Sequence, residues 1–258
     1  MLTGVKVSII VPIYKGKKYI KRLLEQIGRA NEHIAECGCV TELVLVNDYP
    51  EETIDDMDMV FDDVEYPVVV INNSVNKGIH GARLAGIASC TGEYIVMLDQ
   101  DDKIFPEYLH SQLDSIGDNE AVVCRLIHED RVYYNDENKF DDAMNMDYML
   151  KNGCPIVSPG QVMIKKSVLP ELWIDNMMIH NGADDFLLWL LLLNQGASFA
   201  LNQQVVFEHT IEYDNNSWNS LDMIASEREM IHILKSNSHF PSFGALPTIF
   251  SGIIFFQL

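Results

Sequence analysis

Over the first hundred residues the apolar positions alternate between two spacings. Val5 to Ile13 is a β-branched run that predicts a strand. Lys17 to Glu36 switches to a helical period, with Leu23, Leu24, Ile27 and Ile34 forming one stripe. Thr41 to Val46 and Tyr66 to Ile71 predict two further strands, Gly78 to Ser89 a helix, and Glu93 to Leu98 a fourth strand. The strand runs are continuously apolar, the pattern of parallel strands covered on both faces. Strand, helix, strand with short links builds a doubly wound sheet. Ligands bind such sheets beyond the carboxyl ends of the strands. The positions of interest therefore follow Ile13, Val46, Ile71 and Leu98.

The second half is less regular. Ala121 to His128 and Arg131 to Tyr134 predict a hairpin turning at Glu129-Asp130. Asn135 to Asp147 is polar and acidic, a surface loop or short helix. Gly160 to Lys165 is strand-like, Asp184 to Asn194 helical, Ser198 to His209 strand-like, and Ser217 to Lys235 an amphipathic helix. No repeat, low-complexity tract or Pro/Gly/Ser-rich linker interrupts the chain, so residues 1–258 read as one unit.

Composition narrows the class. At 258 residues, with 48% hydrophobic and 22% charged, the chain can bury a sizeable core and is not of the disordered type. The longest unbroken apolar run, Phe186 to Leu193, is far short of the roughly 20 residues a bilayer span needs. Residues 1–15 lack the signal-peptide layout. Five cysteines without a C-x-x-C pair fit neither a disulfide framework nor a zinc site, and suit a reduced cytoplasmic compartment. The formal net charge of −20 disfavours nucleic-acid binding. It also repels a phosphorylated substrate unless a cation intervenes.

The strand ends carry the candidate chemistry. After the fourth strand comes Asp99-Gln100-Asp101-Asp102. At ~4 Å and an effective dielectric near 20, each pair of like charges costs on the order of 4 kcal/mol, which a hard divalent ion removes. The plainer reading is a solvated acidic turn, with Asp102 capping a helix that starts near Pro106. After the other strands come Pro12-Ile13-Tyr14, Asn47-Asp48-Tyr49-Pro50, and Asn72-Asn73 leading to Asn76-Lys77-Gly78, with Arg83 one helical turn further on. Each alone is an ordinary turn. Together they place an aromatic ring, hydrogen-bond acceptors, a cation and a carboxylate cluster on one rim, a set suited to a nucleoside diphosphate.

The ordered series Val7 to Tyr14, Asn47-Asp48, Asn76-Lys77-Gly78 with Ala82 to Ile87, and Thr91 to Asp102 resembles the family 2 glycosyltransferases, inverting enzymes of the GT-A fold. The likeness runs over residues 5–109. Where that family usually shows Asp-Asp-Gly-Ser, this chain has Asn47-Asp48-Tyr49-Pro50. A weaker likeness continues at Gly182-Ala183-Asp184-Asp185 followed by Trp189, where the family's acidic pair supplies the catalytic base. The resemblance implies an α/β GT-A fold, a Rossmann-like, mostly parallel sheet flanked by helices. Residues up to about 110 would hold the donor, and about 111–240 would shape the acceptor side. It implies donor contacts at Pro12, Tyr14, Asp48, Asn76, Gly78, Arg83, Asp99 and Gln100. Tyr14 would stack on the base, and Asp48 would accept its imino N–H. Mn2+ or Mg2+ would be held by Asp101, Asp99 and His209, and Asp185 or its neighbour Asp184 would be the base. The partners implied are a nucleotide-sugar donor, UDP-sugar favoured, and a glycan or lipid-linked acceptor in surface polysaccharide synthesis.

A dinucleotide-binding fold would need G-x-G-x-x-G after the first strand, and a P-loop its G-x-x-x-x-G-K-[ST]; neither is present. A nucleotide- or carbohydrate-binding module that kept the fold and lost catalysis stays open. Residues 241–258 are apolar and uncharged, with Pro247 opposing one continuous helix. Packing on the domain, pairing with a second copy, and docking at the inner membrane face are all compatible with that segment.

Overall fold

The computed structural model describes residues 3–54, 61, 64–134, 137–210 and 220–236. The apolar segment 241–258 lies outside them. The first half forms β1 (Lys6–Ile13), α1 (Lys17–Ala35), β2 (Val40–Asn47), β3 (Val68–Asn72), α2 (Gly78–Ser89) and β4 (Tyr94–Met97). Helix boundaries match the apolar periods to within a residue, and the α1 stripe of Leu23, Leu24, Ile27 and Ile34 is buried. Seven of the eight β1 residues are buried, because β1 runs parallel between β2 and β4 and is covered on both faces. At the sheet edge, β3 keeps half-buried side chains from Val68 to Ile71. Gly86 lets α2 lie close on the sheet: a Cβ there would stand 2.3 Å from Ile10.

The second half contributes β5 (Lys103–Ile104), α3 (Tyr108–Ser115), β6 (Ala121–His128), β7 (Arg131–Val132), α4 (Glu137–Ala143), α5 (Met146–Asn152), β8 (Val162–Lys165), α6 (Glu171–Asp175), α7 (Asp184–Asn194), β9 (Phe199–His209) and α8 (Ser220–Ser236). Glu129 and Asp130 both adopt positive φ, as a two-residue hairpin turn requires. The segment predicted as a strand from Gly160 begins instead with a 3-10 turn, Pro159–Gln161, closed by reciprocal Ser158 and Gln161 caps. Helix α7 is apolar all round and is buried accordingly.

Among the described residues the strands form one sheet in the order β3-β2-β1-β4-β8-β6-β9-β5, with β7 on β6. The pairs β3-β2, β2-β1 and β1-β4 are parallel, β4-β8 and β8-β6 antiparallel, and β6-β9 parallel again. The chain winds outward from β1 through β2 to β3, then returns to place β4 on the other side of β1. The crevice where ligands settle in such sheets therefore opens beyond the ends of β1 and β4. Those ends carry Tyr14 and the Asp99 to Asp102 run.

Candidate active site

On the rim, each expected donor residue has a defined place. Pro12 is buried in β1. Tyr14 is 44% exposed, and its ring meets the Tyr49 ring edge-on at 5.5 Å. The Gln100 amide clasps the Tyr14 backbone, with Oε1 accepting from its N–H (3.0 Å) and Nε2 donating to its C=O (3.2 Å). Gln100 thus ties the loop after β1 to the loop after β4. Asp48 is buried; its Oδ1 accepts from Asn73 Nδ2 (2.8 Å) and the Lys77 N–H (2.9 Å). Asn76 Oδ1 accepts the Gly78 N–H (2.8 Å), and Gly78 has positive φ, so this turn aims the start of α2 at the rim. Where the family motif has Asp, Asn47 Nδ2 donates to Asn72 Oδ1 (2.8 Å), tying the ends of β2 and β3 together.

Arg83 is where the two halves meet. It is buried, its Nη1 donates to Asp184 Oδ2 (2.6 Å), and its Nη2 donates to Asp99 Oδ1 (2.7 Å). Burial alone would lower its pKa, but Asp184, Asp99 and Asp185 raise it well above the ordinary value. Asp184 is buried and committed to this bridge. Asp185 is half-buried, and its Oδ1 accepts the N–H of Phe186 (2.7 Å). Its pKa is pushed up to about 7, first by loss of solvent and then by the Asp184 charge. The two adjacent carboxylates thus differ in their surroundings: Asp184 is held in the Arg83 bridge, and Asp185 has its pKa raised towards neutrality.

The acidic run after β4 divides its tasks as well. Asp101 is half-buried, with a pKa pushed up to about 6 by burial and by Asp99 and Asp102. Asp102 is not a helix cap. Helix α3 starts at Tyr108 with Glu107 as its N-cap residue, and Asp102 is fully buried. Its Oδ2 accepts from Ser158 Oγ (2.7 Å), and its Oδ1 pairs with His209 Nδ1 (2.7 Å) and accepts the Thr210 N–H (3.2 Å). The cause is register: β5 pairs Lys103 with Glu208, so the preceding Asp102 meets the following His209. That antiparallel pairing is long-range, and no local signal announces it.

The metal expectation meets a mixed donor set. Among the described residues no three His, Cys, Asp or Glu side chains are grouped to hold a metal ion. Asp99 is partly occupied by Arg83. His209, however, has Nδ1 held by Asp102, the arrangement that orients an imidazole to ligate through Nε2. Asp101 is a half-buried carboxylate whose charge is disfavoured by burial and by the neighbouring Asp99 and Asp102, a penalty a bound cation would relieve. Such a set fits an ion that takes one or two protein ligands and completes its shell with substrate phosphates and water, as Mg2+ commonly does.

Other neighbours of the site were not legible. Trp173 is fully buried, and its Nε1 donates to the Asp184 C=O (2.7 Å). His80, buried on α2, stacks against that indole at 4.4 Å and accepts the Met178 N–H (2.9 Å); burial lowers its pKa. A groove of about 550 Å³ lies away from this rim, lined by Glu120, Val168, Leu172 and Gly196 among others.

The glycosyl transferase family 2 model matches residues 8–173. A Bacillus subtilis protein named for teichuronic acid biosynthesis, the glycosyltransferase TuaG, is 21% identical over 241 residues, covering 89% of this chain and 91% of its own. Other curated relatives share 25–29% identity, and the matched part of this chain spans between 17% and 67% of their length. The crystal structure of S. aureus TarS 1-349 in complex with UDP-GlcNAc superposes with a TM-score of 0.65 at 16% identity, covering 90% of this chain and 67% of that one. The mannosyltransferase PcManGT from Pyrobaculum calidifontis, in complex with GDP-Man and Mn2+, gives a TM-score of 0.64 at 16% identity, covering 91% and 65%. These likenesses establish the GT-A type of α/β fold. With the family pattern running from β1 through the acidic rim to the tryptophan that braces Asp184, this chain belongs to glycosyl transferase family 2.

Proposed function

We propose that the chain is a metal-dependent, inverting glycosyltransferase that moves a sugar from a nucleoside diphosphate donor, UDP-sugar favoured, to an acceptor hydroxyl. The observation that carries this reading is Arg83. It joins the donor rim to the acidic helix start through Asp99 and Asp184 and leaves Asp185 as a base near neutral pKa. A general base works best when its pKa lies near the working pH.

In this reading Tyr14 offers its exposed ring to the nucleobase, and Gln100 fixes the loop that presents it. Asp48 accepts from the base, and Pro12, Asn76 and Gly78 shape that pocket. Asp99 holds ribose or the donor sugar. Arg83 supports the nucleotide side by holding Asp99 and Asp184 in place. Asp101 and His209, with Asp99, would hold Mn2+ or Mg2+. Bound there, the ion supplies Lewis-acid stabilisation of the departing diphosphate. Asp185 takes the proton from the acceptor hydroxyl as it attacks, a contribution of about 10²–10⁴-fold. A single in-line displacement inverts the anomeric centre.

The whole chain acts as one unit, residues up to about 110 serving the donor and the remainder the acceptor. The acceptor is a glycan or lipid-linked hydroxyl of surface polysaccharide synthesis, met at the cytoplasmic face of the membrane. TuaG, similar over nearly its full length, carries a name of that kind. Among the described residues no helix is long and apolar enough to cross a membrane. Thermal-shift screening of nucleotide sugars with and without Mn2+ tests the donor assignment. Stabilisation by a UDP-sugar that needs the metal supports it; no response to any nucleoside diphosphate sugar rejects it.

A further inference from the structure

The segment between α6 and α7, residues 176–183, has neither helix nor strand, yet it delivers Asp184 and Asp185 to the rim. Backbone N–H groups in such a segment need partners from elsewhere. Here side chains supply them, and most come from one helix. Glu229 Oε1 and Oε2 accept the Ile179 N–H (3.0 and 3.1 Å), and Oε2 also accepts the His180 N–H (3.1 Å). Asp222 Oδ2 accepts the Asn181 N–H (3.3 Å), and its Oδ1 meets His180 Nδ1 (2.9 Å). Ser226 Oγ accepts the Ala183 N–H (2.9 Å) and donates to the His180 C=O (3.0 Å). Residues 222, 226 and 229 share one face of α8 by helical spacing. Gly182 completes the seat. Its φ of +131° suits glycine, and a Cβ there would lie 2.1 Å from Met223 Sδ.

The opposite side of the segment is tied to α2, the helix that carries Arg83. His80 accepts the Met178 N–H, and Asn181 Oδ1 accepts the Ile79 N–H (3.0 Å). The segment is therefore suspended between the donor-side helix and α8, and its last residue is the one before Asp184.

Resting on the functional reading above, we propose that Glu229 is a positioning residue for the acid pair, acting with Asp222 and Ser226. It sets the backbone from which Asp185 reaches the acceptor hydroxyl, without touching substrate itself. Misplacing a reacting group by about 1 Å can cost on the order of 10²-fold in rate. Glu229→Ala leaves the Ile179 and His180 N–H groups without their acceptor. Glu229→Gln keeps one oxygen able to serve both.

The test uses the full chain and three readouts. These are kcat with the UDP-sugar that the parent turns over, UDP affinity by calorimetry, and amide hydrogen exchange across residues 176–190. Expected for Glu229→Ala is a kcat at least about 10-fold lower, with UDP affinity within about 2-fold of the parent and substantial recovery in Glu229→Gln. Its faster exchange should extend from Ile179 and His180 to the amides of Asp184 and Asp185. An unchanged kcat overturns the proposal, as does a loss of kcat and UDP affinity together in proportion to unfolded protein. If the parent turns over no sugar nucleotide, the functional reading fails by itself, and exchange still decides the clamp. Faster exchange reaching Asp185 supports it, and a change confined to Ile179 and His180 overturns it.

Discussion

Replacing Arg83 tests the bridge between the two halves. Arg83→Met removes a buried cation that lies 2.7 Å from Asp99 and 2.6 Å from Asp184, leaving two carboxylates with little solvent to replace it. Removing one partner of a buried ion pair costs about 3–5 kcal/mol. For a chain of this size that is a fall in Tm of roughly 6–20 °C. The sign with pH follows from the carboxylates. Burial already raises the Asp99 pKa, and without Arg83, which lowers it, it rises further, so the folded form takes up a proton more readily. The deficit is therefore greatest near pH 8 and shrinks as pH falls towards the unfolded carboxylate range near 4. Arg83→Lys keeps the charge but cannot span both partners with a planar fork, and should lose less, about 1–3 kcal/mol. Urea unfolding of all three proteins at pH 8 and pH 5, in metal-free buffer, reads these values. A loss under about 1 kcal/mol for Arg83→Met at pH 8, or one that does not change with pH, would refute the argument.

Three further outcomes are expected. Glu42 is buried at the opposite end of the sheet, where burial alone would raise its pKa, but Lys6, Ser8 and Thr91 outweigh it and hold it at about 2. Glu42→Gln should cost about 2–3 kcal/mol at pH 7, and the difference should fade in acid unfolding as pH drops from 4.5 towards 2. Asp185→Asn should melt roughly 3–6 °C above the parent at pH 8, because the raised carboxylate pKa makes ionisation costly in the folded state. That gap should close as pH falls below 7 towards 4, and scanning calorimetry across this window shows whether it does. Asp101→Ala should lower Mn2+-dependent UDP affinity at least about 10-fold in calorimetry while leaving the melting temperature the same or higher, since a disfavoured charge is removed.

The parallel half of the fold was legible because its strands are continuously apolar and its helices keep a strict period. Both signals are local. Strand β5 was not legible: Lys103–Ile104 is too short to show a pattern and exists through its pairing with Glu208 and Phe207. The same pairing buries Asp102, which the sequence presents as one more acid in a turn. Its place as third carboxylate of the run was the available signal, and a helix-capping role explained it equally well. The rim residues could be named from the strand ends, since topology alone brings those ends together. The division of labour between Asp184 and Asp185 could not. It depends on Arg83 reaching from α2 to one of them, and on Trp173 holding the backbone of the same residue. Likewise, the hold of α8 on residues 179–183 links positions about 40–50 apart, and no spacing along the chain encodes it.

In the proposed function Asp185, poised by burial and its neighbour, drives an inverting sugar transfer. Proton NMR of the reaction from pH 5 to 9, with the donor identified by the thermal-shift screen and Mn2+ present, tests it most directly. The product is expected to have the anomeric configuration opposite to the donor's. Also expected is a kcat that rises with pH through an apparent pKa near 7 in the parent, with transfer nearly abolished in Asp185→Asn. A retained configuration, or an Asp185→Asn variant that transfers sugar at the parental rate, would contradict it.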